Sequence, residues 1–327
     1  MIYQCKSCGG NVVYDPEKTT MHCPYCDNLD SEKVTKGTST TQCISCGGTL
    51  VIGDFISASK CEHCGNYFIV DERVEGTYEP HLILPFKVSK EMAKMKIKEA
   101  VGKRAFIPDT FLSEALLKTM EGVYVPFWLY DYNANYDYEG KGTEVKVWTV
   151  GNTQFRETSY YSVQRKLDME FRKLPVDASN ALDDTVMDLM EPYQYDALEN
   201  FQTKYMSGFY GEVYNQTAEQ LEERALGKMR TDAELLLRNT ISDYSSLSPV
   251  KQNLSANNQV KNYALLPLWA YTYHYNNKIY RFHINGQTGK VVGKSPISVK
   301  KAVLSCATVF FAILAIASMA VQILEVL

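Results

Sequence analysis

The sequence predicts an α+β protein: two small cysteine-held modules, then a tyrosine-rich α+β body, then a single apolar helix. Three observations predict it. Eight of the nine cysteines fall before residue 65, in four C-x-x-C pairs. Most of the 23 tyrosines lie between Tyr124 and Tyr280, in stretches that suit half-buried strands. The 23 residues from Ala302 to Leu324 carry no charge.

The pairs are Cys5/Cys8, Cys23/Cys26, Cys43/Cys46 and Cys61/Cys64, and adding 38 to the first four positions gives the second four. This is an internal repeat, opened by "CKSCGG" and "CISCGG". Two C-x-x-C knuckles supply four thiolates, which is the shell that tetrahedral Zn²⁺ prefers. Fourteen residues separate the knuckles in each copy, enough for a strand, a turn and a returning strand. Gly9-Gly10 and Gly47-Gly48 follow the first knuckles, where the backbone must bend without a Cβ penalty; Asp27-Asn28 and Gly65-Asn66 follow the second. We therefore expect two zinc ribbons holding two structural Zn²⁺. Their ligands would be Cys5, Cys8, Cys23 and Cys26 in one, and Cys43, Cys46, Cys61 and Cys64 in the other. Iron–sulfur spacing and a thioredoxin-like βαβ context are both missing. His22 and His63 read as bystanders, and four thiolates leave no open position for a catalytic water.

The ribbons are joined by "SEKVTKGTSTT", which reads as a short flexible linker. "LILPFKV" then reads as a buried strand. "SKEMAKMKIKEAVGKRA" reads as a helix with Ala93, Ile97, Ala100 and Val101 on one face and Lys90, Lys94, Lys98 and Lys103 in solvent. "VYVPFWLYDYNANYDYEGKG" predicts long strands. The acidic run "DDTVMDLMEPYQYDALE" reads as caps and solvated faces of short helices. A second helix begins near Thr217, with Gln220 at capping-box spacing, and buries Leu221, Ala225, Met229, Ala233 and Leu236 or Leu237. Asn276-Asn277 and Asn285-Gly286 mark hairpin turns. "VPFWLYDY" at Val125 and "LPLWAYTY" at Leu266 share Pro-x-Trp-x-Tyr-x-Tyr at an offset of 141. That repeat fits two related α+β units, and equally a chance similarity of two β-rich strands. "GQTGKVVGKS" fails the phosphate-loop spacing, since Thr288 stands where the first glycine belongs and Pro296 follows. The expected organisation is ribbons at 1–34 and 35–76, α+β units at 77–215 and 216–300, and a transmembrane helix at 301–325.

At about 1.5 Å per residue the uncharged tail spans about 34 Å, enough to cross a bilayer. No signal peptide precedes the first ribbon. Eight cations and no carboxylate lie between Tyr244 and Lys301, and no cation follows the tail. The positive-inside rule then keeps the preceding domains in the cytoplasm, at the inner (cytoplasmic) membrane in a single pass. The reduced cysteines agree. Residues 1–76 carry six basic against ten acidic side chains, and two four-thiolate zinc centres would bring the total to about −8. Such a surface disfavours nucleic acid, whose affinity rests on phosphate neutralisation.

"CKSCGG", "LPFKVS", "GVYVPFWLYD", "MEPYQYDALENF", "YMSGFYGEVY" and "NGQTGKVVGKSP" together resemble a bacterial family of membrane-anchored zinc-ribbon proteins. Its members carry labels such as transcription-factor-IIB-type zinc ribbon, replication-restart-helicase-like or phage-replication-like. Some are encoded near SPFH (flotillin-like) and phage-shock-protein-A-like genes, which implies an envelope-stress role and partners of those kinds. The expected function is a tail-anchored, cytoplasm-facing adaptor that binds protein partners. The alternatives are a nucleic-acid-associated factor in replication or transcription, and an enzyme with an unfamiliar site in the body. His81, His274 and His283 are isolated, and no catalytic motif is found, so no enzyme activity is expected. The oligomeric state is open.

Overall fold

The structure is a computed structural model and describes residues 1–37 and 41–326. It is a mixed α+β architecture whose chain begins with two four-cysteine clusters and ends with one long apolar helix. The first ribbon holds β1 (Ile2–Cys5), β2 (Val13–Asp15), β3 (Thr20–His22) and β4 (Glu32–Thr35). β4 pairs antiparallel with β1, Cys5 opposite Glu32, so the first half of the expected linker is a strand. Residues 38–40 of that linker lie outside the described residues. The second ribbon contributes β5 (Ile56–Lys60) and β6 (Tyr67–Ile69).

The body begins with β7, which spans only Leu82–Ile83. The longer strand expected over "LILPFKV" does not form, because Pro85 cannot donate to a ladder and Ser89 already caps the next helix. That helix, α1 (Lys90–Val101), buries Ala93, Ile97 and Val101 as expected. Ala100 is exposed and Lys94 takes its place on the buried face, its ammonium held by Glu91 at 2.7 Å and Glu114 at 3.4 Å. A short α2 (Glu114–Leu117) leads into the long strands β8 (Glu121–Val150) and β9 (Thr153–Asp177). Next come α3 (Asp184–Met190), β10 (Glu199–Asn200), β11 (Tyr210–Glu212) and α4 (Glu222–Asn239). β12 (Ser246–Tyr275), β13 (Lys278–Asn285), β14 (Val291–Gly293) and α5 (Val299–Val326) complete the chain. The Asn276-Asn277 turn has positive φ at both residues, the left-handed geometry that joins twisted strands tightly. Thr217 N–H donates to Gln220 Oε1 at 2.8 Å and Gln220 N–H to Thr217 Oγ1 at 3.4 Å, the reciprocal bonds of a capping box, but they close a turn ahead of the helix: α4 itself starts at Glu222, with Leu221 as its N-cap and no side-chain cap bond. Leu237, not Leu236, completes the buried stripe of α4.

One sheet runs in the order β10-β7-β12-β8-β11-β5-β6, with β9 also on β8 and β13 also on β12. β8 and β12 pair antiparallel along 121–143 and 246–270, with Val125 opposite Leu266. The two Pro-x-Trp segments thus lie side by side in opposite directions. Their flanks match. β11 runs parallel to β8 at Val123 and Tyr124, and β7 runs parallel to β12 at Ala264 and Leu265, again 141 apart. β9 joins β8 at Phe127↔Asp177, and β13 joins β12 at Leu268↔Asn285. The indole of Trp128 donates to Gln216 O at 3.0 Å, just before the Thr217–Gln220 turn that leads into α4, and that of Trp269 to Val88 O at 2.9 Å, just before the Ser89 cap of α1.

Beyond this centre, β9, β8 and β12 extend as a three-stranded arm. Its inner face, including Tyr130, Tyr132, Tyr136 and Tyr138, is covered by Ala225, Met229, Ala233 and Leu237 of α4. Past Thr143 only β8 and β9 continue, ending in a hairpin tip with Trp148 stacked on Phe155, centroids 5.7 Å apart. At about 3.3 Å per residue the 30-residue β12 is on the order of 100 Å long. One end lies in the arm; near the other, the Tyr273 hydroxyl bonds Thr110 Oγ1 at 2.8 Å, next to the Asp109 that Lys301 of α5 reaches.

Asp177 is fully buried, and Arg224 of α4 reaches it at 2.7 Å while also bonding Asp184 and Asp188 of the α3 turn. Burial pushes the Asp177 carboxyl above its usual range, and the guanidinium offsets this only in part. Arg224→Met would leave the carboxylate without its cation, at a cost of about 3–5 kcal/mol near neutral pH. The folded-state pKa, already raised, would rise further. The penalty is therefore largest above that pKa and shrinks as pH falls toward the unfolded value of about 4. Denaturant midpoints of the full chain in detergent, variant against parent, should converge between neutral and acidic pH.

Candidate metal centres

Each ribbon brings two knuckles face to face. In both copies the same amides tie them down, 38 residues apart. Gly9 and Gly47 N–H donate to Cys5 and Cys43 O at 2.9 and 2.8 Å, and Asp27 and Gly65 N–H donate to Cys23 and Cys61 O at 2.9 and 2.8 Å. Gly9, Gly47, Asp27 and Gly65 all take positive φ, as the turn chemistry predicts. Asn28 Nδ2 donates to Ser7 Oγ at 2.5 Å and Asn66 Nδ2 to Ser45 Oγ at 2.8 Å, a clamp between knuckles present in both ribbons.

The eight cysteines come together in the two expected groups of four, every Sγ within 4.8 Å of the others in its group. Sγ–Sγ separations are 3.6 Å for Cys5–Cys26 and 3.5 Å for Cys8–Cys23. They are 3.9 Å for both Cys43–Cys64 and Cys46–Cys61. Four thiolates at about 2.3 Å from one tetrahedral ion stand about 3.8 Å apart, so both groups fit a single metal ion. In each group two cysteines are buried and two are exposed. The N–H groups of Cys8 and Ser7 point at Cys5 Sγ and lower its thiol from the usual range, while Cys26, hydrogen-bonded to the neighbouring sulfurs of the same group, is pushed up.

Neither histidine joins a cluster. His22 faces Asp27 at 3.0 Å and Asp15 at 3.5 Å, and His63 meets Thr49 O at 3.0 Å. His63 and its repeat mate Tyr25 share one task. A Cβ on Gly10 would stand 2.4 Å from the Tyr25 ring and one on Gly48 would stand 2.6 Å from the His63 ring, so each knuckle glycine admits a ring against the backbone. That role was visible in the 38-residue offset but lay hidden under two different residue types.

The ribbons are built into the body. Tyr3, Cys5, Val12, Tyr14, Met21 and Cys23 share one apolar core with Tyr124, Tyr205, Met206 and Phe209. Tyr14 N–H donates to Ser207 O at 2.9 Å and Ser207 Oγ–H to Val12 O at 2.6 Å. β5 of the second ribbon pairs with β11 of the body. Buried Asn11 joins the two ribbons, donating to Tyr3 O at 3.1 Å and accepting from Tyr67 N–H at 2.9 Å. No sequence pattern announced these bonds. Of the other histidines, His81 accepts from Tyr263 N–H at 3.1 Å, and His283 is buried and pushed down to about 4 by desolvation and Arg281. A cleft of about 510 Å³ lies between the C-terminal end of α4 and the arm, lined by Tyr136, Tyr138 and Arg238 among others.

Comparison with known proteins places the chain. It is 36% identical over 307 residues to a protein of Bacillus subtilis (strain 168), described as the uncharacterized protein YdjG, with 90% of each chain covered. The chain belongs to the YdjG family. No family model and no solved structure matches it. This chain carries two metal-fitted cysteine clusters and, at Val299–Met319, an apolar helix that lies exposed on the protein. That helix is long and apolar enough to cross a membrane.

Proposed function

We propose that the chain is a membrane-anchored scaffold that holds two structural zinc ions and presents its ribbons and arm to protein partners at the cytoplasmic face of the inner membrane. The observation that carries the reading is the pairing of two four-cysteine clusters with an apolar helix whose span Val299–Met319 is left uncovered by the described residues. Soft thiolates in a tetrahedron favour zinc, and a filled shell favours a structural role. The acidic balance of the ribbons favours protein over nucleic acid. The resemblance to zinc-ribbon membrane proteins makes flotillin-like and phage-shock-protein-A-like proteins the first partners to test, in an envelope-stress setting. In cell fractionation the intact chain should sediment with membranes and stay there through alkaline carbonate. The chain lacking residues 302–327 should move to the supernatant. Identical behaviour of the two chains would refute the anchor.

The body, on this reading, is one β-α-β-β unit used twice: β7-α1-β8-β9 and β11-α4-β12-β13. What supports this is the matched register around Val125 and Leu266 and the two indole-to-carbonyl bonds, made to residues that precede the Ser89 cap of α1 and the Thr217–Gln220 turn before α4. A duplicated sheet offers two similar flanks, one of which, β11, is taken by the second ribbon.

A further inference from the structure

We propose that the surface around the base of α5 is a docking face for an anionic bilayer leaflet, with Phe106 and Ile297 entering the interface and Lys103, Arg104, Lys294 and Lys300 meeting headgroup phosphates. The inference rests on the reading of α5 as a membrane anchor and specifies which face of the body the membrane touches.

Chain continuity fixes the face. Ser298, one residue before α5, donates its N–H to Phe106 O at 2.7 Å. Lys301, in the first turn, reaches Ile107 O at 2.9 Å and the Asp109 carboxylate at 2.5 Å. Arg104 Nη1 donates to Ser295 Oγ at 2.5 Å. Three bonded points therefore pin the 102–109 loop to the root of the helix. If α5 enters a bilayer, this loop lies at its surface. The side chains there suit that place. Phe106 is 39% exposed, Ile297 63% and Val299 62%, so apolar groups face outward where a soluble protein would hide them. Segments 102–112 and 294–301 carry five cations, Lys301 included, against the single carboxylate Asp109, which Lys301 already neutralises. Cations over an anionic surface with apolar residues between them are the composition that binds a leaflet rather than a protein core. The cations that precede the span in sequence contribute unevenly: Lys261 is paired with Glu222 at 2.9 Å and Lys290 with Glu191 O at 2.5 Å, whereas Lys103 and Arg104 come from α1's end, far away in sequence.

The test uses the full chain carrying Phe106→Trp, reconstituted in vesicles of brominated phosphatidylcholine with or without phosphatidylglycerol. The expected result is a loss of emission from the introduced indole, relative to the parent, in phosphatidylglycerol vesicles. The loss should be reversed by Lys103→Glu, Lys294→Glu and Lys300→Glu together, or by high salt, which shortens the Debye length to about 3 Å at 1 M and needs no charge variant to fold. Absence of quenching while the chain resists carbonate extraction overturns the docking face alone. Equal quenching without phosphatidylglycerol overturns the recognition of anionic lipid. Release by carbonate overturns the anchor, and the docking face with it.

Discussion

Cys5→Ser is expected to lower the zinc content of the full-length chain from two ions to one and to destabilise the body as well as the ribbon. Structural zinc supplies about 10–16 kcal/mol of apparent binding free energy to a ribbon-sized module, because the unfolded chain has no preformed site. Serine offers no soft thiolate, and the remaining three ligands bind far more weakly. An independent ribbon would fail by itself. This one shares its core with Tyr124, Tyr205, Met206 and Phe209 and exchanges two hydrogen bonds with Ser207. Its loss would uncover that apolar surface. The destabilisation of the body should exceed about 4 kcal/mol, in the range reserved for lost metals and broken cores. Metal analysis and denaturant unfolding in detergent, followed by tryptophan emission, check both halves. An unchanged body transition would show that the ribbon only decorates it.

Phe86→Ala is expected to cost about 3–5 kcal/mol, the range for deleting a fully buried aromatic ring. Phe86 stacks on Phe209 at 4.1 Å with planes 7° apart and meets Tyr124 and Trp269 edge-on at 5.1 and 5.2 Å. The cluster joins β8, β12 and the segment before β11, so a cavity there loosens both halves of the sheet at once. Replacing exposed Val51 by alanine serves as the comparison and should leave the midpoint unchanged. Similar midpoints for the two variants would refute the placement of Phe86 at the centre.

The two candidate metal centres were legible in the sequence because a zinc knuckle is local: two cysteines three apart, a glycine or aspartate with positive φ, and a partner knuckle some fifteen residues on. Every ligand, and the glycines behind it, follows from spacing. The helices α1 and α4 were legible for a similar reason, since caps and periodic apolar residues lie within a few turns. What stayed hidden is non-local. The "SEKVTKGTSTT" stretch looks like a linker because its composition is polar, yet Glu32–Thr35 finds a partner in β1, some thirty residues back. "LILPFKV" looks like a strand because it is apolar, but Pro85 and the cap at Ser89 shorten it to two residues. Lys94 looks solvated by its spacing and charge, and its burial is made tolerable by Glu91 on its own helix together with Glu114 from α2. The docking of Asn11 and Ser207 leaves no periodic trace at all. The Pro-x-Trp repeat announced a similarity at an offset of 141, while the pairing of the two copies across one ladder emerged only from the register.

The structure also changes how a partner would meet the ribbons. Their body-facing sides are occupied, so contact is left to their outer surfaces, which include Tyr25 on a knuckle of the first ribbon and the fully exposed Val51 between the knuckles of the second, and to the Trp148–Phe155 tip of the arm. A protein partner at the membrane, as proposed, would meet these outer surfaces. The most direct measurement is photo-crosslinking from a benzoyl-phenylalanine placed at Val51 of the full-length chain in intact cells, with adducts recovered from the membrane fraction and scored for protein and nucleic acid. Discrete protein adducts are expected, and they should disappear when Cys43→Ser dismantles the second ribbon. Adducts with nucleic acid, or protein adducts that persist without the ribbon, would contradict that proposal.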